Sequence, residues 1–159
     1  MEAATVRMTL ASRLRVLGDA YLSREQAPDP RASAEFARLF DNPAGAVCPP
    51  CQSAFLAATS PHSRKLANLE NHALNLYRRF GFGHVAGSRP ADHIGVLLTF
   101  AGHIIEADPS SSMLRAYSKD HLEWIPPFCE QLAAKARHSF YRELAESTRH
   151  AVASFCAAI

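Results

Sequence analysis

The stretch from Gly81 to Glu106, GFGHVAGSRPADHIGVLLTFAGHIIE, decides the fold. A glycine-rich turn leads into Arg89-Pro90-Ala91-Asp92-His93, and a nearly uncharged helix follows. Asp92 reads as the N-cap of that helix, its carboxylate accepting from the free amides of the first turn. At about 100° per residue the helix has three faces. Ile94, Leu97, Leu98, Ala101, Ile104 and Ile105 make a wide apolar stripe, and His93, Val96, Phe100 and His103 a second face. Gly95, Thr99 and Gly102 line a groove of small side chains from Asp92 to Glu106. A helix apolar nearly all round belongs in the middle of a bundle. Its small-residue groove predicts close approach by another backbone or a bound peptide.

On the N-terminal side, Leu66, Leu69, Ala73, Leu76 and Phe80 fall on one face of a helix predicted to begin at Ser60-Pro61. Gly81 follows where a left-handed C-terminal cap is needed. Farther upstream, Leu10, Leu14, Leu17 and Tyr21 mark a first amphipathic helix. Asp29-Pro30 caps and opens a short helix bearing Phe36, Leu39 and Phe40, and the turn Asp41-Asn42-Pro43-Ala44-Gly45 closes it. Val47-Cys48-Pro49-Pro50-Cys51 must be extended, because each proline removes a donor and biases its predecessor away from the helical region. Gln52 to Ala58 then supplies one or two turns.

Downstream, Asp108-Pro109 reads as a second cap-and-proline signal for a helix carrying Met113, Leu114 and Tyr117 towards His121 and Trp124. Pro126-Pro127 predicts a kink, or a break with restart. A last helix carries Phe140, Leu144, Thr148, Ala151 and Phe155, with Arg142 and Glu146 expected to pair one turn apart. No period-two strand pattern and no internal repeat occurs. The expectation is an all-α bundle of six or seven helices, with residues 1–159 as one domain.

The bulk numbers narrow the function. The chain has 159 residues, 48% hydrophobic and 20% charged, with a net charge of +2. That charge is too small, and too scattered, to argue for nucleic acid. No apolar run approaches the roughly 20 residues of a membrane span. Arg7, Arg13 and Arg15 break any secretory h-region, so the N-terminus reads as a structural helix. Four cysteines in a chain of this length predict a reduced, cytoplasmic protein, not a disulfide scaffold.

Cys48-Pro-Pro-Cys51 is the strongest metal or redox candidate. Zinc needs two further ligands, and no second pair follows. The redox version belongs in a βαβ setting that this chain lacks. Gly81-x-Gly83-x-x-x-Gly87 has the spacing of a dinucleotide loop but follows a helix instead of a strand. Of the eight histidines, His93 and His103 share a face roughly 15 Å apart by helical rise, too far for one metal. No nucleophile has a base in recognisable spacing. The residues point to no enzyme, no metal and no cofactor.

Pro90-x-Asp92-His93, one short loop after Tyr77-x-x-Phe80-Gly81, resembles the signature of the TorD/DmsD/NarJ family of redox-enzyme maturation chaperones. Other blocks agree in order, from about Glu35 onward. Glu35-Phe36-Ala37-Arg38-Leu39-Phe40 and Pro49-Pro50-Cys51-Gln52-Ser53 precede the signature, and His121-Leu122-x-Trp124 and Phe140-Tyr141-x-x-Leu144-Ala145 follow it. The resemblance implies an all-helical cytoplasmic chaperone. Its partners would be the apo catalytic subunit of a molybdenum-dependent oxidoreductase and that subunit's twin-arginine signal peptide. By residue matching, the implied binding surface comprises Asp92, His93, Pro90, Gly81, Tyr77, Pro50 and Ser53. A carboxylate such as Asp92 holds a guanidinium bidentately, and an apolar groove takes the hydrophobic part of a leader.

Three positions depart from the family pattern. Cys51 stands for its aromatic, Gln52 for its glutamate, and Arg89 for the glutamate before Pro90. Two acids lost and one base gained predict a weaker pull on a leader's arginines, or recognition of the client through its folded body. A short N-terminal portion predicts a monomer with a reduced groove, or a helix-swapped dimer. Two alternatives stand beside chaperoning: a small metal or thiol-redox protein acting through Cys48 and Cys51, and a helical subunit retained in the mature oxidoreductase.

Overall fold

The computed structural model describes residues 2–83 and 89–159, with side chains from residue 9 onward. Gly87 and the middle of the predicted glycine loop lie outside the described residues. Eight α-helical segments follow one another among the described residues: α1 (Glu2–Leu22), α2 (Pro30–Phe36), α3 (Gln52–Thr59), α4 (Leu69–Arg79), α5 (Ile94–Glu106), α6 (Ser111–Tyr117), α7 (Ile125–Lys135) and α8 (Ser139–Ala157). Counted as one broken helix, α6 and α7 make the total seven. The α2 and α6 segments each run on into a π-helical turn, Ala37–Asp41 and Ser118–Leu122. The architecture is all-α, as the periodicity required.

The α5 helix is the axis. Ten of its 13 residues are buried, so its sides are covered by neighbours and not by water. The small-residue groove meets α1 of the same chain. A Cβ on Gly95 would lie 2.7 Å from the Gly18 carbonyl oxygen, and one on Gly102 would lie 2.7 Å from that of Ala11. Gly18 pairs with Gly95 and Ala11 with Gly102, so the two helices run antiparallel with backbones nearly touching. The groove is therefore filled, and the expectation that a bound peptide could use it is corrected. Arg15 pairs with Glu106 across the far end of this seam.

The α1 helix also meets α8, where the Tyr21 and Thr148 hydroxyls bond at 2.9 Å inside the core. Aromatic rings fill the rest. Tyr21, Phe36, Phe40 and Tyr141 form one chain of edge contacts, and Tyr77, Phe82, Phe100 and Tyr117 another. Each fully buried ring contributes roughly 1.5–3 kcal/mol by area alone.

Three local expectations are confirmed with their mechanism. Asp29 caps α2 by accepting from the Ala32 amide at 2.8 Å, with Pro30 at the first helical position. Gly81 has φ +62°, and the Phe82 and Gly81 amides reach back to the Tyr77 and Arg78 carbonyls at 2.8 and 3.3 Å. That is a Schellman end to α4, with Phe82 packed on Tyr77 as its apolar clasp. Pro126 and Pro127 sit in the first turn of α7, where proline costs no hydrogen bond, so the helix breaks and restarts there.

Three others are corrected. Ser60-Pro61 ends a helix instead of starting one: the Ser60 amide closes α3 on the Leu56 carbonyl at 2.7 Å. The chain then turns through Arg64–Leu66, and α4 starts only at Leu69, after Asn68 in a left-handed conformation. Asp108 is no cap, because its φ of +51° cannot precede a helix in extended form, and the Ser110 hydroxyl takes that role. Glu146 pairs with Arg149 and His150, while Arg142 turns back to the Ala136 and Arg137 carbonyls. The loop carbonyls ahead of α8 outcompete a solvent-exposed partner for that guanidinium.

Candidate functional site

The sequence signature lands where α3 and α5 begin side by side. The first amides of any helix lack intrahelical partners, and these two helices satisfy each other's. The prolines keep residues 49–51 extended, so the Pro50 carbonyl accepts the Ile94 amide at 2.8 Å. Cys51 and His93 pair as one antiparallel bridge. In return the Asp92 carbonyl accepts the Gln52 amide at 3.0 Å, and its carboxylate accepts the Ser53 amide at 2.8 Å. Asp92 is thus a cap, but of α3. His93 is the N-cap of α5, its Nδ1 accepting the Gly95 amide at 3.0 Å. The expected cap on its own helix is corrected, because an extended His93 turns Asp92 towards the neighbouring helix.

The α4 helix grips the same turn from the other side. The Tyr77 hydroxyl donates to the Ala91 carbonyl, and the Glu70 carboxylate accepts the Ala91 amide at 3.3 Å. Asp92, His93, Pro50, Ser53, Tyr77 and Pro90 are therefore all brought to one junction. Their exposure differs sharply. Asp92 is 2% exposed and His93 1%, and Pro50 and Tyr77 are also buried. Pro90 and Gly81 lie open, and Ser53 is half-buried.

The His93 protonation state follows from its partners. Nδ1 accepts, so in the neutral ring the proton sits on Nε2. That nitrogen is the one buried side-chain polar atom among the described residues with no hydrogen-bond partner. Burial first, and the Arg89 cation second, hold the His93 pKa down to about 3. Arg89, foreign to the family pattern, does not stand as a loose cation. It donates to both Asp41 carboxylate oxygens at 2.7 and 3.1 Å and to the Leu22 carbonyl at 3.0 Å. That bond holds the Asp41 carboxyl below its ordinary range. Asp41 ends the π turn after α2, a conformation enriched at functional positions.

Gln52, another of the three departures, serves a relay that sequence spacing did not reveal. Its Nε2 donates to the Asp120 carbonyl, so its Oε1 must accept from His121 Nδ1 at 3.0 Å. His121 Nε2 is then bare and accepts from His72 Nδ1 at 2.7 Å. The contact crosses 49 residues and depends on the π turn that swings His121 inward. Beside Gln52 opens a pocket of about 460 Å³ with Phe55, Leu56, Trp124 and Pro127 on its walls and Lys65 and Lys119 on its rim.

Cys48 and Cys51 offer little thiolate. Burial raises both, Cys51 to about 12, where Asp92 and Glu70 add to the shift. Among the described residues no three His, Cys, Asp or Glu side chains gather closely enough to hold a metal. Nor is any helix long and apolar enough to cross a membrane.

Comparison with curated proteins returns no match. A family model described as "Nitrate reductase delta subunit" matches residues 3–130. The match reaches back through α1, well before Glu35, and stops before the Phe140–Ala145 block, which lies outside it. It takes in the reciprocal caps, the Arg89–Asp41 pair and the His121 relay. The chain belongs to the nitrate reductase delta subunit family, a non-catalytic family of chaperones that act in molybdoenzyme maturation.

Proposed function

We propose that this chain is a cytoplasmic chaperone that holds the apo catalytic subunit of a molybdenum-dependent oxidoreductase, shields its twin-arginine leader and releases it after cofactor insertion. The observation that carries the reading is the unpartnered His93 Nε2–H in a junction whose other buried side-chain polar atoms are bonded. A buried donor without an acceptor costs about 1–3 kcal/mol, and a peptide carbonyl is the acceptor a client would bring. In this reading the open residues touch the client first, the buried ones position the junction, and the buried His93 Nε2–H is reached only when the groups covering it move aside. Asp92, Tyr77 and Pro50 fix the junction, while Pro90, Ser53 and Gly81 form the surface a leader meets. The apolar part of the leader takes the pocket walled by Phe55, Leu56 and Trp124, since the seam beside Gly95 is closed. Asp92, committed to α3, supports the site from below and does not itself clasp a guanidinium.

The test is capture by the tagged protein from its native host, followed by mass spectrometry. The expected catch is a cofactor-free molybdoenzyme catalytic subunit with its leader intact. Recovery of only the mature holoenzyme would replace chaperoning with a retained-subunit role.

A further inference from the structure

Resting on the leader-binding reading above, we propose that Asp41 is the carboxylate that receives a client arginine, and that Arg89 is its resident occupant, displaced on binding. Arg89 stands where the family pattern has an acid, and on charge alone it should repel a twin-arginine segment. Its geometry gives it a different role. The guanidinium makes a two-pronged bond to Asp41, the arrangement an incoming arginine would make. The pair is partly open, with Arg89 26% and Asp41 35% exposed. Pairs of that exposure contribute little net stability, so exchanging one arginine for another at Asp41 costs chiefly the Arg89 bond to the Leu22 carbonyl.

The neighbourhood suits a peptide. The unpartnered His93 Nε2–H lies within electrostatic reach of both Arg89 and Asp41. A main-chain carbonyl beside the incoming arginine would satisfy it. Arg24 also lies within electrostatic reach of Asp41, and Glu70 and Asp92 within reach of Cys51. Asp92 is buried, and of the two open carboxylates at this end Glu70 already holds the Ala91 amide, whereas Asp41 is the one arranged to grip a guanidinium with both oxygens. Arg89 then sets a threshold. The chain is competent for a client arginine only in the fraction of molecules whose Asp41 is free, and apparent affinity falls by that fraction.

The experiment titrates the full chain, by fluorescence anisotropy, with a labelled synthetic peptide carrying two adjacent arginines ahead of an apolar segment. A control peptide has glutamines in their place. Arg89→Ala is expected to tighten binding of the arginine peptide by about tenfold, as for a site one-tenth free in the wild type. Asp41→Asn in the Arg89→Ala background should abolish the gain. Arg89→Lys, which keeps the charge but loses the fork, should fall between, and thermal melts confirm that each variant is folded. Arginine-dependent binding that is equal in wild type and Arg89→Ala, or a gain that survives Asp41→Asn, would overturn the proposal and leave leader binding standing. If no variant distinguishes the two peptides, both fall.

Discussion

The α5 helix touches two neighbours in opposite ways. Along its length it meets α1 through Gly18, Gly95 and Gly102, with no polar group left over and no room for one atom more. At its N-terminus it meets α3 through carbonyls, amides, Asp92 and His93, and there one buried donor is unpartnered. The seam is optimised for contact alone. The junction carries unspent hydrogen-bonding capacity, a feature rare enough in an otherwise satisfied protein to require an explanation, and the leader-binding proposal supplies one.

The seam half of this comparison is broken most directly by Gly95→Ala. Helix propensity alone says the change should stabilise by about 1 kcal/mol. The seam says the opposite, because the new methyl would lie 2.6 Å from Leu22 Cγ and 2.7 Å from the Gly18 carbonyl. Overpacking against backbone costs about 1–3 kcal/mol, and that cost must first exceed the propensity gain. Net destabilisation in urea titration is expected. A more stable Gly95→Ala protein would mean that the helices are not this close.

The junction is probed next by pH. Burial holds His93 and His121 down to about 3 in the folded chain, while unfolded histidines titrate near 6.5. Between those values the unfolded chain binds protons that the folded chain refuses. Stability is therefore whole above about pH 6.5 and falls as pH drops towards 3. Each histidine supplies a slope of up to about 1.4 kcal/mol per pH unit. Lysine and arginine do not titrate here, and the carboxylates held low by partners (Glu35, Asp41, Glu106) act only at more acid pH. Urea midpoints measured from pH 8 to pH 5 should decline. His93→Asn, which keeps a capping acceptor for Gly95 but no titrating ring, should remove about half of the slope. A flat profile would contradict the neutral, buried histidines of the junction.

Much of this was readable from residue order. Apolar spacing defined α1, α5 and α8, and Asp29-Pro30 and Gly81 fixed two helix ends, because these signals act over three or four residues. The family signature singled out Pro50, Asp92 and His93, and the structure brings these three to one junction. The helix that Asp92 caps could not be read, since an aspartate before a helix is ambiguous until a second helix lies beside it. The His72–His121 bond and the Arg89–Asp41 pair join residues 49 and 48 apart, and no local periodicity encodes such a distance. Both also depend on π turns, in which one extra residue per turn shifts every later side chain around the axis. The exposed pair expected at Arg142 and Glu146 failed for a related reason, since nearby loop carbonyls offered that arginine better partners.

The smallest expected effect separates backbone from side chain within the seam. Thr99 sends its hydroxyl back to the Gly95 carbonyl at 2.7 Å, and a Cβ on Gly18 would lie 2.5 Å from the Thr99 hydroxyl oxygen. Thr99→Ala loses this bond, worth about 0.5–1.5 kcal/mol. It leaves the carbonyl bonded to its i+4 amide, and it gains roughly half a kcal/mol of helix propensity. The net loss should stay below about 1 kcal/mol. The substitution also clears the space that Gly18→Ala would need against a side chain, but not the Gly95 carbonyl oxygen at 2.7 Å. Gly18→Ala should therefore remain destabilising in the Thr99→Ala background, and urea titration of the four proteins in the double-mutant cycle measures how far. If Thr99→Ala rescued Gly18→Ala fully, the limit on approach would be one hydroxyl, and the seam would be as adjustable as the junction beside it.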